Sequence, residues 1–126
     1  MTDWIQLFGR ILIAQIFLGA GITKLLNTAP ITQQIATRVS GSLIPLFLLG
    51  SIAVELLGGA ALLLGFRVNW IAILLAVYVA VATLLYHTNF NQPFQMDLFA
   101  KDLAIVGGLL LLATLGTGRL SLDVVL

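Results

Sequence analysis

The sequence lacks cysteine altogether and contains a single histidine, His87. Without cysteine, disulfide exchange, cysteine-ligated metal sites and iron–sulfur clusters are excluded for this chain. One histidine cannot supply both axial ligands of a haem, and we predict no metal site. The chain alone therefore provides no redox group, so any redox chemistry would need a bound organic cofactor or a partner protein.

Charged side chains are also scarce. They make up 9% of the 126 residues, whereas hydrophobic residues make up 60% and the mean hydropathy is +1.13. Soluble domains usually have about 25% charged residues, so these few charges could not cover a surface that faces water. The net charge of +1 and the absence of a basic patch argue against binding nucleic acid. The composition predicts an integral membrane protein whose main partner is the lipid bilayer.

Long apolar runs, such as residues 71–85 and 103–113, decide how the chain crosses the membrane. Barrel strands alternate polar and apolar residues, and these runs do not alternate. A spanning helix needs about 20 apolar residues, so four helices fit and no room remains for a soluble domain. We predict an all-α membrane protein, a single domain over residues 1–126, with termini on one side. The four-transmembrane-helix bundle has predicted spans at 7–26, 43–66, 70–86 and 101–117.

The longest connection lies between the first and second spans. In it Ile31, Ile35 and Val39 recur every four residues, directly after Pro30. Proline suits a first helical turn, and this spacing places the three apolar side chains on one helical face. We predict a short amphipathic helix at the membrane interface between helices 1 and 2.

The distribution of Lys and Arg between the two sides predicts the orientation in the membrane. The counts tie, with Arg10, Arg67 and Arg119 on the side of the termini and Lys24, Arg38 and Lys101 on the other. If Arg10, Lys24 and Lys101 are held in intramembrane pairs, Arg67 and Arg119 remain against Arg38, and this count favours cytoplasmic termini. We therefore expect a multi-pass protein with both termini in the cytoplasm.

Glu55 is the residue that most needs an explanation. It lies near the middle of the second span, about 18 Å below Leu43 at 1.5 Å per residue. An acid at that depth costs about 2.5–3.5 kcal/mol and usually pairs inside a bundle. The cation nearest in depth is Arg10, about 10 Å away. We predict an intramembrane polar site of Glu55 and Arg10, which could be a structural ion pair or a carboxylate that handles a ligand or a proton.

A second candidate site lies at the opposite side of the membrane. Lys24 ends the first span, while Lys101 and Asp102 begin the fourth. A helix N-terminus favours an acidic side chain and also an anionic ligand. We predict that these residues could bind an anion, a lipid phosphate or another ligand. The alternative is that both lysines extend to the lipid headgroups.

Two further polar residues, Gln15 and Tyr78, lie in the middle of predicted spans. Polar side chains within a membrane usually form hydrogen bonds with a neighbouring helix. We expect each of them to do so, and either could help to hold a quinone-like headgroup.

Three segments together resemble the DoxX family of small bacterial membrane proteins. They are R-I-L-I-A-Q-I-F-L-G-A-G-I-T-K-L at residues 10–25, A-V-E-L-L-G-G-A-A-L-L-L-G at 53–65 and K-D-L-A-I-V-G-G-L-L-L-L at 101–112. Each segment alone is weak evidence for the family. Their occurrence in this order is more specific, and the resemblance extends over most of the chain. The sequence departs from the family pattern at Asp102, where asparagine would be expected.

The resemblance implies a four-helix protein of the bacterial cytoplasmic (inner) membrane. The family takes its name from a subunit associated with thiosulfate:quinone oxidoreductase. The implied function is an integral membrane subunit of a quinone-linked oxidoreductase, with a bound quinone, a membrane or redox protein partner and a polar site around Glu55. Fold-level kinship alone does not establish this function. The matching polar positions are Arg10, Lys24, Glu55, Lys101 and Asp102.

Two other functions remain open from the residues. The chain could be a non-catalytic scaffold, assembly factor or partner-stabilising protein, because polar pairs and small residues in a bundle also serve structure. It could instead be a small carrier for a solute or a proton, which would require a homo-oligomer because four helices form a thin pathway. The sequence assigns no catalytic residue and does not decide whether the chain is an enzyme.

Overall fold

The computed structural model describes residues 2–116 and residue 121. These residues form five α-helices and one turn of 3₁₀ helix. In chain order the elements are α1 (Thr2–Leu26), α2 (Ala29–Ala36), the 3₁₀ turn (Gly41–Leu43), α3 (Ile44–Leu64), α4 (Val68–Tyr86) and α5 (Gln95–Leu115).

Four of the helices are long and apolar enough to cross a membrane: α1, α3 with its preceding 3₁₀ turn, α4 and α5. The predicted all-α, four-helix membrane fold is therefore confirmed. The short helix α2 lies where the amphipathic helix was predicted, and its Ile35 is buried against the bundle. Val39, the last residue of the predicted apolar stripe, lies beyond the end of α2.

The helix ends differ from the predicted spans at several places. The first helix begins at Thr2 rather than at residue 7, and α5 begins at Gln95 rather than at 101. Both extra segments are too polar to belong to an apolar run, yet each places an aspartate in a first turn, where the helix dipole favours it. The third helix ends before Gly65, which adopts a left-handed conformation with φ of 76°. Helix α5 ends at Leu115, and the predicted end at 117 lies outside the described residues, as does Arg119.

The four spanning helices pack mainly as two pairs, α1 with α3 and α4 with α5. Helix α3 lies against α1 on one side and α4 on the other, α5 packs mainly on α4, and α1 and α5 make few contacts. The buried core includes Ala14, Phe17, Leu62, Leu75 and Leu109. This arrangement leaves the inner faces of α1, α3 and α4 in contact, which is where the polar residues meet.

Close approach of α1 and α3 depends on glycine. A Cβ atom on Gly59 would lie 2.9 Å from Leu18 Cγ and 3.2 Å from the Leu18 backbone nitrogen. A Cβ on Gly21 would lie 3.3 Å from Glu55 Cβ. Helices in lipid gain little from burying apolar surface against each other, so small residues that allow close packing stabilise the bundle. The two glycines let α1 and α3 approach closely, Gly21 at Glu55 and Gly59 one turn beyond it.

Candidate functional site

Three polar side chains from three different spans meet inside the bundle. Lys24 of α1 donates a hydrogen bond to Glu55 Oε1 of α3 and forms an ion pair with it. The hydroxyl of Tyr78, on α4, donates to the same oxygen at 2.5 Å. The Lys24 ammonium also lies 3.4 Å from the Tyr78 hydroxyl oxygen. We call Lys24, Glu55 and Tyr78 the polar cluster.

Glu55 is deeply enclosed in this cluster, with an exposed fraction of 2%. Its Oε1 accepts both donors, whereas its Oε2 is buried and accepts no hydrogen bond from the residues that the structure describes. Taking a carboxylate out of water is costly unless its charge is paired and its oxygens are satisfied. The Lys24 ammonium meets the first condition, and the second is met at only one of the two oxygens. The carboxylate therefore keeps a buried acceptor position for a proton or for a further donor.

A cavity of about 660 Å³ adjoins the polar cluster. Lys24 and Tyr78 form part of its wall, and the rest is mostly apolar surface of α2, α3 and α4. Its other polar lining residues are Gln34, Ser51, Tyr86 and His87. The cavity follows α4 from Leu74 to Tyr86, about 18 Å, and continues to His87. A mostly apolar pocket of this size with a few convergent polar groups is typical of a site for a small organic ligand.

The structure does not bring Arg10 to Glu55, so the expected pairing of these two residues is wrong. Arg10 Nη1 donates to the carbonyl oxygens of Leu62 at 3.0 Å and Leu63 at 3.5 Å. Leu62 lies seven residues beyond Glu55, about 10 Å along the helix. The last carbonyls of a helix bear partial negative charge and need donors, and the missing side chain of Gly65 leaves room for the guanidinium. Arg10, with an exposed fraction of 1%, holds α1 to the end of α3.

The predicted group of Lys24, Lys101 and Asp102 is also divided. Lys24 turns toward Glu55, while Asp102 Oδ2 accepts a hydrogen bond from Thr83 Oγ1 at 2.8 Å. Lys101 is exposed. Successive residues of a helix point in directions about 100° apart, so Asp102 can face α4 while Lys101 faces away from the bundle. The three side chains do not form one anion site, and any lipid contact of Lys101 stays a prediction.

His87 joins α4 to α5 at the end of the cavity. Its Nε2 lies 3.9 Å from Asp102 Oδ2, and its Nδ1 lies 3.3 Å from Gln95 Oε1. A single histidine after a span carries no signal of its partners, so the contacts of His87 with Asp102 and Gln95 could not be predicted from the sequence. The described residues contain no group of three or more potential metal ligands.

Comparison with known proteins places the chain in a family. The sequence profile of the DoxX family matches residues 5–88, which include all three members of the polar cluster. The chain is 36% identical over 118 residues to a protein of Escherichia coli (strain K12) called inner membrane protein YqjF, covering 93% of this chain and 88% of that protein. No solved structure matches the chain. From the matched length and the identity, the chain belongs to the DoxX family of integral membrane proteins.

Proposed function

We propose that this protein is the membrane-embedded subunit of a quinone-linked oxidoreductase and that the cavity beside the polar cluster binds the quinone headgroup. The observation that best supports this function is a largely apolar cavity of about 660 Å³ between membrane-spanning helices, with Lys24 and Tyr78 in its wall. The kinship with a family named after such a subunit supports it as well, by association only.

The residues of the cavity fit the chemistry of a quinone. The oxidised headgroup has two carbonyl oxygens that accept hydrogen bonds, and the ring and tail are apolar. Lys24 has three donor hydrogens, and the oxygens of Glu55 and Tyr78 account for two of them. The third hydrogen would hold a headgroup carbonyl, while the apolar residues of α3 and α4 would surround the ring.

Glu55 would hold a proton in this function. A quinone takes up two electrons and two protons on reduction, and it supplies the redox chemistry when bound. Glu55 Oε2 is a buried oxygen that accepts no hydrogen bond from the described residues, so a proton placed there would leave the bonds of Lys24 and Tyr78 to Oε1 in place. The electrons would come from a partner protein, because the chain has no cysteine and too few histidines for a redox centre.

The experiment that tests this function measures the binding of a short-chain quinone to the protein purified in mild detergent. Gly50 lines the cavity, and a Cβ there meets no atom within 4 Å, so Gly50→Leu should fill the cavity without distorting the helix. We expect Gly50→Leu to weaken binding at least tenfold. Glu55→Gln should keep the fold and weaken binding about tenfold, because the Lys24 ammonium that would hold the headgroup loses the ion pair that fixes its position.

The matched control is Gly107→Leu on α5, where a Cβ also meets no atom within 4 Å and which does not line the cavity. It should bind the quinone as the parent does. Failure of the parent protein to bind, or equal weakening by both leucine variants, would contradict the quinone site. In that case mass spectrometry of the proteins that co-purify from native membranes would test the scaffold function. A stable partner without a redox group would favour it.

We also propose that the protein resides in the bacterial inner membrane, as the name of its relative states for that protein, with both termini in the cytoplasm. Lys24 and Arg10 are engaged inside the bundle, so one cation on each side drops out of the count. The count then favours cytoplasmic termini only when Lys101, an exposed residue within α5, is discounted as well. Green fluorescent protein fused after the last residue should fluoresce, whereas alkaline phosphatase at the same place should be inactive. An active phosphatase fusion would mean that the termini lie on the periplasmic side, which contradicts the proposed orientation.

A further inference from the structure

The side-chain amide of Gln15 has no hydrogen-bond partner among the described residues of the bundle. It lies near the middle of α1 and is exposed, on the face that turns away from α3. In the described part of the chain, no hydrogen bond reaches its side-chain amide, so the expected bond to a neighbouring helix of the same chain is not formed. Hydrocarbon offers no hydrogen-bond partner, so an exposed amide at this depth is strongly disfavoured in a protein surrounded only by lipid.

A shallow groove of about 440 Å³ continues from Gln15 along the same face. It is lined by Gln15, Ile16, Gly19, Ala20, Thr23, Lys24 and, from α2, Ile31. A Cβ on Gly19 would meet no atom within 4 Å, so this glycine serves no close approach inside the chain. The face thus combines an amide in need of a partner with a surface that a second helix could approach closely.

We propose that this face of α1 docks the α1 helix of a second copy of the chain. Two copies with the same orientation in one membrane are related by an axis normal to the membrane, so identical residues lie at identical depths. A glutamine amide has both donors and an acceptor, so two Gln15 side chains can pair reciprocally. An unrelated helix would need a polar residue at this depth, whereas a second copy always has one there.

The second copy would also cover part of the polar cluster. Lys24 and Ile31 line both the groove and the larger cavity. A helix seated in the groove would therefore lie against the lipid side of Lys24. This inference rests on Gln15 and its groove and does not depend on the ligand of the cavity.

The test uses the fact that the chain has no cysteine, so each variant has only the cysteine introduced. Gly19→Cys protein is purified, reconstituted into phosphatidylcholine liposomes at low protein density and oxidised with copper phenanthroline. We expect most of it to migrate as a disulfide-linked dimer, because Gly19 would face its own copy. Gly107→Cys, an exposed glycine on α5 with equally open space, should stay monomeric.

Adding Gln15→Leu to Gly19→Cys should reduce the dimer at least fivefold. Because Gln15 is exposed, this change leaves the core of the chain intact, which the thermal unfolding midpoint checks. Monomeric Gly19→Cys, equal cross-linking of Gly107→Cys or an unchanged dimer after Gln15→Leu would each overturn the proposal. In native membranes, a cross-link from Gly19→Cys to a protein of another mass, without a self-dimer, would assign the groove to a different partner.

Discussion

Replacing Glu55 by leucine is expected to lower the free energy of unfolding by about 3–5 kcal/mol, the usual cost of removing one partner of a buried ion pair. The Lys24 ammonium would lose the carboxylate that compensates it, in a site where only 17% of its side chain is exposed. Tyr78 would lose its acceptor as well. Unfolding in mixed detergent and SDS micelles, followed by circular dichroism, measures the change.

The double variant Lys24→Met with Glu55→Leu separates the pair from the packing. With both charges removed, no uncompensated charge remains, so most of the lost stability should return. Glu55→Gln should lie between the parent and Glu55→Leu, because its amide oxygen still accepts from Tyr78. A Glu55→Leu protein as stable as the parent would mean that the ion pair contributes nothing to the fold.

Replacing Arg10 by methionine is expected to cost about 2–4 kcal/mol, because it removes a charged donor from buried carbonyls. The carbonyls of Leu62 and Leu63 at the end of α3 would lose the guanidinium, and Leu62 would keep only the Gly65 N–H as a donor. The hydrogen bonds that link α1 to that helix end would be lost. Methionine preserves most of the side-chain volume, so the change reports mainly on polar contacts. The same micelle unfolding experiment gives the free energy.

Two further variants test this interpretation of Arg10. Arg10→Lys keeps the charge at the helix end and should recover part of the stability, since one ammonium can still reach a carbonyl. Lys101→Met removes an exposed cation of similar length and should change stability by less than about 0.5 kcal/mol. If Arg10→Met lowered the free energy of unfolding as little as Lys101→Met, the contacts of Arg10 with the end of α3 would not stabilise the fold.

The fold could be predicted because lipid restricts the choices. Apolar runs of sufficient length, such as the one ending at Tyr86, can only be spanning helices in a chain with so few charges. The first turns of α1 and α5 were missed because apolar length marks the hydrocarbon core and not the helix itself. The αL glycine at 65 could have marked the end of α3 more closely, since glycine is common just after a helix.

The partner of Glu55 could not be predicted from depth alone. Counting residues along upright helices placed Arg10 nearer to Glu55 than Lys24. That count ignored two facts: a lysine side chain is long, and the glycines on α1 and α3 bring these helices together beside Glu55. Tyr78 was identified as a mid-span polar group, but its position beside Glu55 depends on how α4 is rotated. The cavity depends on where α2 lies, which sequence spacing leaves open.

The order of the polar cluster along the chain has a consequence for how the protein is made. Lys24, Glu55 and Tyr78 belong to α1, α3 and α4, so all of them are synthesised before α5. A nascent chain therefore inserts its buried acid only after the compensating lysine is already in the membrane. The hydroxyl that completes the cluster follows one helix later. Translation supplies the countercharge first, which spares the ribosome-bound intermediate a lone carboxylate in lipid.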